Sequence, residues 1–265
     1  MAVNTTSDTH KAAGAGRLPE GMGGLAKGLA IIEAFSPHRT RLTVSEAAEA
    51  SGTSRASARR CLLTLTELGY LEFDGKYFRP QPRLLALSSA YSGTRSLPQI
   101  AQPFLKAARD ELHESISLAV LDRDTVLFIA RSEAERLVTT GISIGTRIDL
   151  YCSATGRVLL SAWSDERLSA YLDSVKTEAR TRHSLIRKSA LRDAVRNAKA
   201  QGYAFTDQEL EIGLRSIAIP VMDSRGAVVA AMSASASSAR VTIQQMVKSF
   251  VPVLRASADS LGRAL

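Results

Sequence analysis

The chain has 265 residues, 45% of them hydrophobic and 5% aromatic, which is enough apolar material for one large or two ordinary globular domains. A formal net charge of +8 favours acidic partners, although charge balance says nothing about the fold. Two isolated cysteines, Cys61 and Cys152, exclude a disulfide framework, and the histidines lack the spacing of metal ligands. We therefore expect neither a metal site nor a cofactor.

The N-terminal segment is polar and lacks the apolar core of a secretory signal peptide. No run of about 18 apolar residues occurs anywhere in the chain to cross a membrane. The sequence thus predicts a cytoplasmic protein without a membrane partner, in which residues 1–21 form a disordered N-terminal arm.

Two helices are predicted directly after this arm. Apolar residues at helical spacing begin at Leu25 and stop at Phe35, just before Ser36-Pro37, which predicts the first helix. The run Thr43-Val44-Ser45-Glu46 is a capping box, in which the Thr43 hydroxyl and the Glu46 carboxylate each accept a backbone hydrogen bond. It predicts a short second helix over 44–50.

A third helix carries the densest positive charge of this region. Gly52 allows a tight turn before it, Ser54 caps it, and it runs to about Leu68. On a helical wheel the predicted core side carries Ala58, Cys61, Leu65 and Leu68, with Leu62 at its margin. Leu63 falls outside this stripe and is expected to pack against the following hairpin. The outward side carries Ala56, Arg59, Arg60 and Thr64, with Ser54, Arg55 and Ser57 at the N-terminal end.

The segment beyond Gly69 predicts that hairpin. Asp74-Gly75 lies between two aromatic-rich runs, Tyr70–Phe73 and Lys76–Arg79, and an Asp-Gly pair in this setting is a strong hairpin signal. Helix, helix, turn, helix and hairpin, in this order, indicate a winged helix-turn-helix.

Exposed arginines alone indicate no more than a solvated basic helix face, which is the commoner use of such a cluster. The capped helix before them and the hairpin after them favour double-stranded DNA, because hydroxyl and guanidinium groups reach phosphates and arginine pairs with guanine edges. The predicted DNA contacts are Thr43, Thr53, Ser54, Arg55, Ser57, Arg59, Arg60 and Lys76.

From Pro98 onward, strand pairs are mixed with helices. Helices are predicted over 100–112, 156–163, 166–172, 189–201 and from Thr242 to the end, and strands over 117–121, 125–130, 216–222 and 228–236. This mixture predicts an α+β domain.

Several long runs resemble the IclR family of bacterial transcription regulators; they are LTVSEAAEASGTSRASARRCLLTLTELGYLEF, YCSATGRVLL and QGYAFTDQELEIGLRSIAIPV. Two runs, RASARRCLLTLTELGY and AQPFLKAARDELHESISLAVLD, are most similar in sequence to members of the branch that regulates the breakdown of protocatechuate, 4-hydroxybenzoate and 3-oxoadipate. With the residue patterns, the resemblance implies a winged helix-turn-helix over 22–82, a linker helix over 83–97 and a GAF-like effector-binding domain over 98–265. It also implies a homodimer, or a dimer of dimers, on a two-fold operator.

The same resemblance implies a pocket for a small organic acid. The positions it carries over are Tyr151, Ala154, Thr155, Thr206, Ser216, Ser233 and Ser235. Amides at the helix start of Ala154 and Thr155 suit a carboxylate, and Ser233 and Ser235, two apart on one strand, face the same side. Without the resemblance, hydrogen bonds from such serines to the backbone or to water are the commoner use.

Two of these positions depart from family members that carry an acidic residue where Thr206 stands and a cysteine where Ser216 stands. The hydroxyls make the pocket less acidic and favour a more negative ligand such as 3-oxoadipate, with protocatechuate left open. Arg215 is expected to hold its loop by pairing with Glu209 or Glu211, or alternatively to neutralise a ligand carboxylate.

Two short patterns are typical of enzymes, but the secondary structure predicted around each one differs from that which the enzyme motif requires. Gly141–Gly145 matches the G-x-S-x-G hydrolase elbow, but the chain after it is predicted extended rather than helical. Gly21–Ala26 matches the G-x-G-x-x-A dinucleotide pattern without a strand before it. We therefore expect a regulator and not an enzyme; the alternatives are a small-molecule-binding enzyme of the GAF-like class and an architectural DNA-binding protein that ignores ligands.

Overall fold

The computed structural model describes residues 22–36, 39–87, 96–135 and 142–265. The chain divides into two compact units, Met1–Tyr91 and Ser92–Leu265. The predicted N-terminal arm, Pro37 and most of the predicted linker helix lie outside the described residues; Pro82–Leu84 form a 3-10 helix and residues 85–87 continue helically. Among the described residues, no helix is long and apolar enough to cross a membrane.

Three helices and a hairpin build the first unit, as predicted. The helices are α1 (Gly23–Glu33), α2 (Val44–Ala50) and α3 (Arg55–Glu67), and the strands are β1 (Leu71–Phe73) and β2 (Phe78–Pro80). They share a core built around Ile31, Leu42, Leu62 and Phe78. Leu42, just before α2, also bridges Phe78 through backbone hydrogen bonds of 3.0 and 2.8 Å, so the chain entering α2 is tied to the hairpin.

The predicted helix caps are present. Thr43 Oγ1 accepts a hydrogen bond from the Glu46 amide at 3.3 Å, and the Glu46 carboxylate accepts from the Thr43 amide at 2.7 Å. The hydrogen bond from the Thr43 amide, followed by that from its hydroxyl, lowers the pKa of Glu46. Ser54 Oγ accepts from the Ser57 amide at 3.2 Å, which begins α3 one residue later. The local signals therefore fix where both helices begin.

Two leucines near the end of α3 differ from the helical-wheel prediction. Leu68 is 49% exposed because it lies one position past the last helical residue, where Gly69 turns the chain with φ of +77°. Leu63 lies outside the core, as the wheel placed it, but it is 37% exposed rather than covered by the hairpin. The buried stripe of α3 consists of Ser57, Ala58, Leu62 and Leu65.

The second unit is built on one antiparallel sheet with the strand order β5-β4-β3-β8-β7-β6. The strands are β3 (Ser115–Asp122), β4 (Thr125–Ser132), β5 (Arg147–Asp149), β6 (Ala204–Asp207), β7 (Leu214–Met222) and β8 (Val228–Ser237). The helices are α4 (Leu97–Leu112), α5 (Ala154–Ser161), α6 (Asp165–Ser174), α7 (Lys188–Gln201), α8 (Ile243–Gln245) and α9 (Val251–Ala264), with a π-helical turn over Met246–Phe250. Of the two short edge strands, β5 was predicted only as an extended segment and β6 was not predicted.

Each face of this sheet has its own apolar core. α4 and α9 cover one face, where Ile116, Leu118 and Met232 lie. α5 and α7 belong to the other core, which contains Ala119, Phe128 and Ala231. Successive strand residues alternate between the faces, so the serines of β7 and β8 at every second position share one of them.

Candidate functional site

The exposed side of α3 presents a cluster of cations. Arg55, Arg59 and Arg60 are all exposed, as the helical wheel predicted. Arg55 is the first residue of α3, where unpaired backbone amides and the helix dipole attract anions. This surface has the charge and geometry to meet a phosphate backbone.

Ser57 was predicted to face outward with these arginines, and the structure places it differently. Ser57 is only 9% exposed and its hydroxyl accepts a hydrogen bond from Ser54 Oγ at 3.1 Å. Its position, three residues after the cap, turns it toward α1, where it lines an open apolar groove together with Arg60 and Cys61. Ser57 therefore supports the helix and is not part of the exposed basic surface.

The two threonines near this helix have local partners. Thr43 is held in its capping box, and Thr53 Oγ1 lies 2.9 Å from Ser51 Oγ. Both side chains are half-buried. A contact with DNA at either position would have to share an oxygen already used within the protein.

The tip of the hairpin carries a second group of cations. Asp74 Oδ1 accepts hydrogen bonds from the Tyr77 amide at 2.7 Å and the Lys76 amide at 3.0 Å; these two bonds lower the pKa of Asp74 and leave the Lys76 side chain exposed. Arg41 lies with its guanidinium 4.4 Å from the centre of the Tyr77 ring. Sequence reasoning missed Arg41, because only the bridge between Leu42 and Phe78 brings it to the hairpin.

A cavity of about 20 Å³ lies between the N-terminus of α5 and the sheet of the second unit. Its polar lining contains Ser153, Thr155, Thr206, Ser216, Ser233 and Ser235, and its apolar lining contains Phe128, Ile142, Ile148, Cys152, Ala154, Leu210 and Leu214. No charged side chain of the described residues lines it. The volume is about that of one water molecule.

Four of the six hydroxyl groups that line the cavity come from three adjacent strands. Thr206 on β6 is in register with Ser216 on β7, which is in register with Ser235 on β8. The Ser216 and Ser235 hydroxyl oxygens lie 3.0 Å apart. Ser233 faces the cavity two residues before Ser235, as their spacing predicted.

The start of α5 closes the cavity from the other side. Ser153 Oγ accepts a hydrogen bond from the Gly156 amide at 3.0 Å and another from Thr155 Oγ1 at 3.2 Å. A Cβ atom on Gly156 would lie 2.0 Å from the Leu150 carbonyl oxygen, so only glycine allows this close turn. Ala154 and Thr155 thus line the cavity at a helix N-terminus, a position that suits an anion.

Tyr151 is the one predicted effector position that does not line the cavity. Its hydroxyl donates to the Glu178 carbonyl at 3.1 Å and accepts from the Glu178 amide at 3.0 Å. Because both functions of the hydroxyl are used there, Tyr151 anchors a loop beside the cavity.

Arg215 has a structural role, but its predicted partners were wrong. It pairs with Asp207, with Nε 2.7 Å from Oδ1, and this hydrogen bond lowers the pKa of Asp207. Glu209 instead forms an ion pair with Arg157, whose Nη1 and Nη2 lie 2.8 and 2.5 Å from the two carboxylate oxygens of Glu209. The sequence reasoning missed Arg157 because the pair joins residues far apart in the chain.

Comparison with known protein families matches each of the two units to a family description. The description "IclR helix-turn-helix domain" matches residues 24–75, and "Bacterial transcriptional regulator IclR C-terminal" matches residues 89–263. The chain belongs to the IclR family. It is a DNA-binding transcription regulator whose second domain belongs to the effector-binding class.

Individual relatives indicate which branch of the IclR family this chain is similar to. The Pca regulon regulatory protein of Pseudomonas putida is 40% identical over 244 residues, which cover 92% of this chain and 84% of the relative. The p-hydroxybenzoate hydroxylase transcriptional activator of Acinetobacter baylyi is 34% identical, with 92% of each chain covered. These relatives confirm the predicted resemblance to the branch that controls aromatic catabolism.

A solved structure supports the same fold. The crystal structure of an IclR homologue complexed with 4-hydroxybenzoate, from Microbacterium hydrocarbonoxydans, matches with a TM-score of 0.75 and 26% identity over 92% of this chain and 100% of that one. It confirms the predicted α+β fold with an N-terminal winged helix-turn-helix.

Since the relatives are regulators, the expectation that this IclR-family chain is not an enzyme is also confirmed. The hydrolase-like pattern agrees with this result, because Ser143 is followed by a turn and then by β5 rather than by a helix. Gly141 and Gly21, which begin the two enzyme-like patterns, lie outside the described residues. Burial raises the pKa of Cys152 to about 11, so its thiol stays protonated near neutral pH.

Proposed function

We propose that Arg55, Arg59 and Arg60 of α3 contact operator DNA in the major groove, with Ser54, Thr43 and Thr53 near phosphates. The exposure of the three arginines at the start of a capped helix carries this proposal. Lys76 contacts the DNA backbone or minor groove from the hairpin. Arg41, held against Tyr77 beside it, joins this second contact.

The effector is a small organic acid from aromatic catabolism, such as 3-oxoadipate or protocatechuate. Its carboxylate binds the amides of Ala154 and Thr155, and its other polar groups bind the hydroxyls of the cavity. The observation that carries this proposal is the set of hydroxyls, each under 10% exposed, of Thr155, Thr206, Ser233 and Ser235 around one cavity. The names of the relatives, which refer to Pca genes and 4-hydroxybenzoate, support the class of ligand.

A thermal-shift panel of 4-hydroxybenzoate, protocatechuate and 3-oxoadipate tests the effector proposal. A ligand that binds only the native state at about 100 times its Kd stabilises it by about 2.7 kcal/mol, so at least one acid is expected to raise the melting temperature. Ser233→Ala is expected to reduce that shift, and Ser161→Ala, at the far end of α5 from Ala154, is expected to leave it unchanged. The absence of a shift with every acid, at concentrations up to millimolar, contradicts the proposal.

The protein works as a cytoplasmic homodimer, and pairs of dimers bind two-fold operators. Support comes from the first unit, where a groove of about 630 Å³ is bordered by exposed leucines. These are Leu25, Leu29, Leu68 and Leu87, which are 56%, 46%, 49% and 46% exposed. Contiguous exposed apolar residues of this kind mark protein interfaces.

Leu29→Glu is expected to weaken self-association, because it introduces a charge into the apolar lining of this groove. Light scattering at micromolar concentration would show the wild type as a dimer or tetramer and the variant shifted toward monomer. The control is Ile186→Glu, which adds the same charge at a residue that is 41% exposed in the second unit. A monomeric wild type contradicts the dimer, and an equal loss in both variants contradicts the assignment of the groove.

A further inference from the structure

Tyr77 of the hairpin holds two cations against its ring. The Arg41 guanidinium carbon lies 4.4 Å from the ring centre, and Lys76 Nζ lies 5.0 Å from it. Tyr77 is half-buried, whereas Arg41 and Lys76 are exposed. A cation within about 6 Å of an aromatic ring centre is attracted by the electrons of the ring face. One ring therefore restrains two positive charges that come from separate segments of the chain.

The backbone pairing explains why Arg41 reaches this ring. Leu42, which precedes α2, forms an antiparallel bridge with Phe78 on β2, and both side chains are buried in the core. Side chains alternate along extended backbone, so the residues just before them, Arg41 and Tyr77, point away from that core. The bridge thus joins the segment before α2 to the hairpin on the outer surface of the first unit.

Neither Arg41 nor Lys76 forms an ion pair with a carboxylate of the described residues. The Asp74 carboxylate at the hairpin tip is already used by the amides of Lys76 and Tyr77 and by Arg79, whose Nη2 lies 3.0 Å from Oδ2. Two cations held near one ring repel each other, and an anion that contacts both relieves this repulsion. A DNA phosphate is such an anion.

We infer that Tyr77 is a positioning residue of the DNA interface, whose ring holds Arg41 and Lys76 side by side for one stretch of phosphate backbone. The inference rests on the proposed function, which places both cations on DNA. Long cationic side chains lose rotamer freedom when they bind, and a ring that already restrains them lowers this cost. Tyr77 acts through the two cations and does not need its own hydroxyl for the contact.

Two variants of Tyr77 separate the ring from the hydroxyl. Tyr77→Ile removes the ring but keeps a residue that favours a strand, and it is expected to weaken DNA binding about 3- to 10-fold. Tyr77→Phe keeps the ring face and is expected to bind within about 2-fold of the wild type. Fluorescence anisotropy of the full-length protein measures both, with DNA from upstream of the neighbouring operon and with a scrambled duplex of equal length. The loss should be similar on the two duplexes, because phosphate contacts carry no sequence information.

Charge variants show whether the ring acts through the cations. Arg41→Gln and Lys76→Gln are each expected to lower the slope of log K against log salt by about 0.9, because one phosphate contact is lost. In the Tyr77→Ile background, each loss of affinity is expected to be smaller by about 2-fold or more, since residues that act as a unit are not additive. A purely structural role of Tyr77 would leave the effects of these charges unchanged.

Phe73→Ile is the matched control, because it removes another exposed ring from the hairpin, one that stacks on Phe78. It is expected to bind DNA within about 2-fold of the wild type, since no cation is released from its ring. Melting temperatures show whether each variant is folded, and Tyr77→Leu, which also lacks a ring, replaces Tyr77→Ile if that variant does not fold.

The outcomes distinguish this inference from the proposed function. Wild-type affinity in Tyr77→Ile, an equal loss in Tyr77→Phe, or full additivity with Arg41→Gln and Lys76→Gln overturns the role of Tyr77. Each of these results leaves the DNA contacts of Arg41 and Lys76 standing. Wild-type affinity in both Arg41→Gln and Lys76→Gln overturns these contacts and the inference together.

Discussion

Arg59→Ala is expected to weaken operator binding about 10- to 100-fold, because a bidentate contact of arginine with a base contributes about 1–3 kcal/mol. Arg59 is exposed on α3 and lies outside the buried stripe of this helix. If Arg59 instead contacts a phosphate, the loss is smaller, and the slope of log K against log salt falls by about 0.9. Fluorescence anisotropy with DNA from upstream of the neighbouring operon, at several salt concentrations, measures both quantities.

Arg59→Lys separates the two kinds of contact. Lysine keeps a phosphate contact but loses the planar fork that reads guanine, so a base contact predicts a loss close to that of Arg59→Ala. Lys199→Ala is the control, since it removes the same charge from an exposed position of α7. Affinity and salt slope that stay at wild-type values in Arg59→Ala would remove this residue from the DNA contacts.

The helix-turn-helix could be predicted from sequence because its signals are local. The Thr43–Glu46 capping box and the Ser54 cap each depend on residues three apart, and the structure has both helices where these caps place them. The same locality explains the errors. A helical wheel projects one helix alone and includes neither the packing of α1 nor the turn at Gly69. It therefore placed Ser57 on the exposed side and Leu68 on the buried side, and the structure has the reverse.

The effector site was predictable only in part. Ser233 and Ser235 share a face by strand periodicity, whereas the positions of Ala154, Thr155 and Thr206 came from family resemblance. Neither source gives strand register. Ser117 lies opposite Ser233 only because β3 pairs with β8, a contact between strands more than 100 residues apart in the chain. Charged residues such as Arg131 and Arg157 therefore have no local signal that marks them as buried.

Arg157→Ala is expected to lower the free energy of unfolding of the second unit by about 3–5 kcal/mol, because it leaves a buried carboxylate without its cation. The Arg157 and Glu209 side chains are 4% and 11% exposed. Arg157 also donates to the Phe205 carbonyl at 3.2 Å, and the Leu185 amide donates to Glu209 at 3.1 Å. The pair thus ties α5, which begins at the cavity, to two separate loops.

The melting temperature measures this effect and is expected to fall by roughly 10 °C, at about 2–4 °C per kcal/mol for a domain of this size. Arg196→Ala is the control, because Arg196 forms an ion pair with Asp165 at 3.9 Å in which the side chains are 59% and 73% exposed. Exposed pairs contribute about 0–1 kcal/mol, so this variant should melt close to the wild type.

A double variant shows whether the pair stabilises the fold or is only costly to break. Arg157→Met with Glu209→Leu replaces both charges by apolar side chains, and removing both together is often nearly neutral. We expect the double variant to melt well above Arg157→Ala.

Because the Arg157–Glu209 pair holds the loop that contains the cavity-lining Leu210, we also expect the double variant to respond more weakly to acids in the thermal-shift panel. A recovered melting temperature with a full acid response would show that this pair has no part in forming the effector site.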